Sequence, residues 1–216
     1  NKPSGLITHP KNAEDKQESV TGWLIEKYPE IKMVGEDPLR PGLVHRLDKD
    51  TSGLMVIAKN QNSFHYLKNL FQEKKIKKFY LALVSGKPKE SKGIIDLPMG
   101  RIGMKRTTQV RGNKKLKDKK EAVTEYNTVK NFRDFTLLEV SPHTGRTHQI
   151  RVHLKSIETP VAGDPLYGHK KIAGRKEPER LFLHAYKLQF VSPDGKSLAF
   201  ETDLPEDLQK VISMLE

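Results

Sequence analysis

Apolar positions recur along the chain at two different intervals. Over residues 13–28, Val20, Trp23, Leu24 and the Lys27-Tyr28 pair keep helical spacing until Pro29 stops the run. Residues 63–71 predict a second helix, with Phe64, Leu67, Leu70 and Phe71 on one stripe. A third is expected over 148–156, where Ile150, Leu154 and Ile157 follow the same interval. Pro205 opens a fourth, with Leu208, Val211, Ile212 and Leu215 inward. Between these lie strand-like runs. Residues 53–58 read as a short buried strand, and 78–84 as another, ended by Ser85-Gly86. Further strands are expected over 122–130, 135–140, 181–190 and 198–202. Many strands, few helices and no regular alternation predict an α+β fold. Neither an internal repeat nor a Gly/Ser- or Pro-rich linker divides residues 1–216, so a single domain is expected.

Charge changes this picture in one place. Residues 101–120 carry nine Lys or Arg, one acid (Asp118) and almost nothing apolar, which suggests a basic loop or hairpin insertion. The whole chain has 39 basic against 27 acidic side chains, a net charge of +12. Such an excess favours a polyanion, because each cation placed on a phosphate releases a condensed counterion. Anionic lipid would satisfy the charge too, but no apolar run approaches the roughly 20 residues of a membrane span. There is no cysteine, which excludes disulfides and thiolate metal sites and fits a reducing cytoplasm. The chain opens abruptly on Asn1-Lys2-Pro3-Ser4-Gly5, a turn-rich start that suggests trimmed upstream sequence.

Two segments concentrate reactive side chains. Residues 40–53 hold His45, Arg46, Asp48, Lys49 and Asp50 in a glycine-bracketed loop that feeds an apolar run, where functional groups face solvent from rigid backbone. Residue types alone leave two readings open: a site carboxylate at Asp48, or a solvated turn in which Asp48 caps the Asp50 or Thr51 amides. In residues 140–154, His143, His148 and His153 lie five apart, which fits neither metal-ligand spacing on a helix nor one face of a strand. A polar helix face of His148, Arg151 and Lys155, opposite Ile150, Leu154 and Ile157, is expected instead. The turn Thr144-Gly145-Arg146-Thr147 before that helix offers amides to a phosphate. Tyr80, in Lys77-Lys78-Phe79-Tyr80, reads equally as strand packing with its hydroxyl tied off.

In order, His45-Arg46-Leu47-Asp48 with Thr51-Ser52-Gly53-Leu54, then residues 77–84, then Thr144-Gly145-Arg146-Thr147-His148-Gln149-Ile150-Arg151-Val152-His153 resemble the RluA/RluC/RluD group of pseudouridine synthases. Asn1-Lys2-Pro3-Ser4-Gly5, Gly163-Asp164-Pro165-Leu166-Tyr167-Gly168 and Leu183-His184-Ala185 are similar to its remaining motifs. His45, where the RsuA-like branch usually has Gly, points to the RluA side. The resemblance implies a mixed, largely antiparallel sheet flanked by helices with a central catalytic cleft. It also implies an N-terminal strand upstream of Asn1, and in many relatives an S4-type RNA-binding domain. It places the catalytic aspartate on Asp48, the active-site tyrosine on Tyr80, the basic partner on Arg151 and the arginine that replaces the flipped base on Arg46. Lys78, Arg101, Lys105, Arg106 and Arg146 join Arg46 as candidate RNA contacts.

The implied reaction breaks N1–C1′ of uridine, turns the base and joins C5 to C1′. No atoms are gained or lost, so neither cofactor nor metal is required. The target base must leave its stack at a cost of a few kcal/mol. Arg46 has the length, planarity and charge to fill the gap. Asp48 would act as nucleophile or proton acceptor, Arg151 would keep it ionised, Tyr80 would stack on uracil and take the C5 proton, and His45 would orient the loop. The expected partner is RNA, ribosomal by preference and transfer RNA otherwise, with the protein a monomer. A glycoside hydrolase built on Asp48 and Asp50 fits less well: its carboxyls must face each other across about 5–9 Å. Residues i and i+2 of an extended loop lie about 6.6 Å apart along the chain without facing. A non-catalytic RNA-binding protein explains the charge but not a carboxylate in a basic cleft.

Overall fold

A computed structural model describes residues 1–103, 105–108, 116–169 and 177–216. In chain order the elements are α1 (Val20–Lys27), β1 (Ser52–Gly53), α2 (Gln61–Gln72), β2 (Lys77–Ser85), β3 (Lys92–Asp96), β4 (Met99–Ile102) and β5 (Lys105–Thr107). They continue as β6 (Lys117–Lys120), β7 (Val123–Asn131), β8 (Phe135–Pro142), α3 (Gln149–Ser156), β9 (Leu183–Val191), β10 (Ser197–Glu201) and α4 (Glu206–Leu215). Contacts divide the chain into two compact units, each built from two segments: Asn1–Lys77 with Lys187–Thr202, and Lys78–Tyr186 with Asp203–Glu216. The α+β expectation holds. None of the described helices is long and apolar enough to cross a membrane.

In the first unit, both helices start on side-chain caps. Ser19 Oγ accepts the Gly22 amide (3.0 Å) and Asn60 Oδ1 the Ser63 amide (2.9 Å), each satisfying a donor the helix cannot. The first helix is shorter than residues 13–28, because its apolar spacing begins only at Val20. Leu24 of α1 and Phe64, Leu67 and Leu70 of α2 pack with Ile31 and Leu188 into the core. Gly42 threads this core at φ +68°, where a Cβ would sit 2.6 Å from the Ala58 carbonyl oxygen. The predicted strand over 53–58 is a correction: only Ser52–Gly53 is strand, and Leu54 to Ile57 are half-buried. The Val56 amide donates to His45 Nε2 (3.0 Å), so a side chain occupies a group that a ladder would need.

The second unit carries β2, β8, β7 and β3 side by side in that order within one sheet. Its pairs β2/β8, β7/β8 and β3/β7 are antiparallel, with Tyr80 opposite Val140. Residues 160–162 run beside β2: Ser85 donates to Pro160 O and Ala162 to Leu83 O. Leu208 and Val211 of α4 pack with Leu83, Phe135, Leu137 and Phe182, each such burial contributing about 2 kcal/mol. A smaller sheet, β5-β4-β6, holds the described part of the basic stretch, which is a hairpin arm there. Arg111, Lys114 and Lys115 lie outside the described residues.

His184 on β9 is fully buried, and burial first, then the Arg180 charge, pushes its pKa down to about 4. The fold therefore accepts the neutral ring, while the unfolded imidazole protonates below about pH 6.5. Stability from this group is complete above pH 6.5. It is lost as pH falls towards 4, at up to about 1.4 kcal/mol per pH unit. Burial lowers His153 in the same direction. Urea unfolding from pH 7 to 4 is expected to show a steeper acid loss in wild type than in His184→Gln; equal slopes would refute the assignment.

Candidate active-site residues

Asp48 lies in the first unit, half-buried, in a loop held by the N-terminal segment. Thr8 Oγ1 donates to Leu47 O (2.8 Å) and accepts the Leu47 amide (3.3 Å). Ser4 Oγ donates to Asp50 O (2.8 Å), and the backbones of Lys2 and Gly53 exchange two hydrogen bonds (2.8 and 2.9 Å). Lys2 is itself buried. Its ammonium donates to Pro3 O, Leu6 O and Lys49 O at 2.8–2.9 Å, and the last of these follows Asp48 directly. The turn closes through the backbone, with the Thr51 amide on Asp48 O (3.2 Å). His45 orients the loop as expected: its ring stacks on Phe71 (4.6 Å) and its Nε2 accepts from Val56, so the ring proton sits on Nδ1. Arg46 is exposed, with Nη1 3.5 Å from His9 Nε2.

Arg151 and Tyr80 lie in the second unit. Tyr80 is 9% exposed on β2. The predicted polar face of α3 needs correction: Arg151 is 2% exposed and His148 half-buried, and Lys155 is the exposed member of the trio. The charge is tolerated because Asp164 meets it: Nε donates to Oδ2 (2.7 Å) and Nη2 to Oδ1 (2.8 Å). Burial alone would raise the Asp164 carboxyl. The hydrogen bonds and charge of Arg151, with the Leu166 and Tyr167 amides on Oδ1, outweigh it and hold the group below the usual carboxylate range. The Tyr167 ring lies 5.1 Å from Arg151 Cζ, its hydroxyl 2.9 Å from His148 Nδ1, and Lys105 Nζ stands 5.5 Å from the same ring. Gly163 sets this loop at φ +70°, where a Cβ would meet Arg180 O at 2.0 Å.

In the turn before α3, Gln149 takes one of the amides that could meet a phosphate, that of Arg146. Gln149 Oε1 accepts the Arg146 amide (3.0 Å) and the Thr144 hydroxyl (2.7 Å). Its Nε2 donates to Val123 O and Thr124 Oγ1, both at 2.9 Å. Thr124 Oγ1 in turn lies 2.9 Å from His153 Nδ1, and His153 Nε2 lies 3.0 Å from Leu97 O. A carbonyl can only accept, so Nε2 carries the proton; burial lowers the pKa of the ring and so favours the neutral tautomer, in which Nδ1 accepts from the Thr124 hydroxyl. His148 enters α3 in the left-handed region (φ 59°), a conformation that costs a non-glycine residue about 1 kcal/mol or more. His143 pairs with Glu125 (3.2 Å), so the three histidines each have different partners.

Among the candidate RNA contacts, Arg101 pairs with Asp118 (2.6 Å) and Arg146 Nε donates to Glu121 O (3.0 Å). Lys105 and Arg106 stand on β5 of the basic arm, and burial lowers the Lys78 ammonium pKa. Sequence reasoning gave no role to Lys2, Thr8, Asp164 or Tyr167. For Lys2, Asp164 and Tyr167 the signal was present in the motifs at residues 1–5 and 163–168, and what it lacked was that a buried arginine needs a buried acid; Thr8 lies in no motif.

A family model described as RNA pseudouridylate synthase matches residues 1–156. The chain is 42% identical, over its whole length and 66% of the relative's, to an uncharacterized RNA pseudouridine synthase of Chloroflexus aurantiacus. It is 38% identical to ribosomal large subunit pseudouridine synthase D of Nitrosomonas europaea, covering 99% of this chain and 61% of that one. It thus spans about two thirds of the length of the curated relatives it matches. The solved structure of human RNA pseudouridylate synthase domain containing 4 superposes with a TM-score of 0.78 at 27% identity, covering 99% of this chain and 87% of that one. On the family model, the relatives and the shared fold, the chain belongs to the RNA pseudouridylate synthase family.

Proposed function

We propose that this protein isomerises specific uridines to pseudouridine in large-subunit ribosomal RNA, acting as a cytoplasmic monomer with residues 1–216 as its catalytic domain. The observation that carries the reading is the half-buried Asp48 carboxylate on a loop whose backbone is tied at residues 47, 49, 50 and 53. Rigid backbone around one acid is what a reacting group needs, since small misplacements cost large factors in rate. Relatives named for the ribosomal large subunit support that RNA over transfer RNA.

Asp48 is the reacting carboxylate, acting at C1′ either by attack on the sugar or by assisting elimination. Arg151 is its basic partner, favouring the ionised form. Tyr80 stacks on the uracil face and receives the C5 proton. Arg46, exposed on the same loop as Asp48, enters the space the flipped base vacates. The basic arm, through Arg101, Lys105 and Arg106, and with it Lys78 and Arg146, meets the RNA backbone.

Asp48→Ala is expected to lose about 10³-fold or more of the isomerisation rate while still binding RNA. Retained isomerisation would remove Asp48 from the chemistry. Wild-type protein that binds RNA without isomerising any uridine would make the chain a binding module. Carbodiimide mapping of pseudouridines in RNA from a deletion strain reads the lost position directly, and a loss confined to transfer RNA would overturn the ribosomal assignment.

A further inference from the structure

A buried ion pair adds little net stability, because desolvating both charges offsets most of their attraction. The Arg151–Asp164 pair, 2% and 0% exposed, therefore asks for another explanation. Asp164 holds the guanidinium in its own plane through Nε and Nη2. The Tyr167 ring lies against it at 5.1 Å, and the two supports are three residues apart in one loop. That loop is fixed in turn: the Asp164 carboxylate accepts the Leu166 and Tyr167 amides (2.9 and 3.0 Å), and Gly168 donates to Asp164 O (3.0 Å). The preceding residues 160–162 are bonded to β2. An in-plane clamp and a face contact together restrict rotation of the guanidinium and so fix the direction in which its Nη1 edge points.

We propose that Asp164 and Tyr167 are positioning residues for Arg151, setting the direction in which its guanidinium is offered. This rests on the reading of Arg151 as the basic partner of Asp48. The Tyr167 contact also joins this clamp to the basic arm, because Lys105 stands over the same ring and His148, one helical turn before Arg151, meets its hydroxyl. Arg151 and the arm thus share a support.

The test uses two variants of the full chain, each removing one support. In Asp164→Asn the carboxamide keeps an acceptor for the loop amides but turns an N–H towards a guanidinium N–H, so the arginine must rotate. In Tyr167→Leu the ring is lost and the acid kept. Single-turnover isomerisation rates and RNA dissociation constants are measured on the same folded preparations. Each variant is expected to lose about 10-fold or more in rate with RNA affinity within about twofold of wild type. A folded variant with a wild-type rate, or a rate loss matched by an equal loss of affinity, overturns the proposal. If one variant fails to fold, the other decides. Should Asp48→Ala remain active, the reading of the site falls and this proposal with it. Should Asp48→Ala be dead while both positioning variants match wild type, only the positioning proposal falls.

Discussion

Truncating Asp164 to alanine is expected to destabilise the protein by about 3–5 kcal/mol, because it leaves the Arg151 charge buried without its carboxylate. For a chain of this size that is a fall of roughly 10 °C in Tm. The loss of the loop-amide acceptor adds to it, since Leu166 and Tyr167 both donate to Asp164 Oδ1. The second half of the expectation is a sign reversal. Adding Arg151→Met to Asp164→Ala should recover stability, because it removes the charge that had become the liability. Urea denaturation of wild type, both single variants and the double variant gives the coupling directly. Additive losses, or an Asp164→Ala cost under about 1 kcal/mol, would mean the pair is not what makes Arg151 tolerable in the interior.

The other large effect is at Lys2. Its ammonium is 4% exposed and joins three backbone carbonyls from two stretches of chain, one of them at Lys49. In Lys2→Met a chain of similar length remains but the carbonyls of Pro3 and Leu6 lose a charged donor, worth about 1.5–3 kcal/mol each at this burial. A loss of about 3 kcal/mol or more is expected in urea. Because the same ammonium ties down the loop carrying Asp48, the isomerisation rate per folded molecule should also fall, by about 10-fold. A variant as stable as wild type would show that Thr8, Ser4 and the Lys2–Gly53 backbone pair hold the loop without the charge.

Both residues bear on what could be read from sequence. Periodicity located the helices, and apolar runs located β2, β7, β8, β9 and β10 but not the mostly polar β3 to β6, because spacing of burial is what those patterns encode. The run at 53–58 failed for a reason outside any local pattern: His45, eleven residues earlier, takes the Val56 amide. Arg151 was legible as a family position but not as a buried one, since its burial depends on Asp164, thirteen residues downstream on a separate loop. Gln149 likewise looked like one more polar helix residue, and its hold on the turn at Arg146 is visible only once β7 supplies Val123 and Thr124. Positions whose meaning is local were readable; those whose meaning is a distant partner were not.

Each compact unit is completed by chain that is synthesised late. The first needs residues 187–202, which bring Leu188 to its core, and the second needs residues 203–216, which bring Leu208 and Val211. A growing chain folds its early segments first where it can. Here neither core can close before Leu188 and Leu208, respectively, have been added. Residues 1–180, which carry 36 basic against 21 acidic side chains, must therefore wait beside the ribosome in an incomplete state, a few seconds or more at ordinary synthesis rates of roughly 5–20 residues per second. A chain cut short before α4 is therefore expected to leave the second core open, and one cut before residue 187 to leave both open.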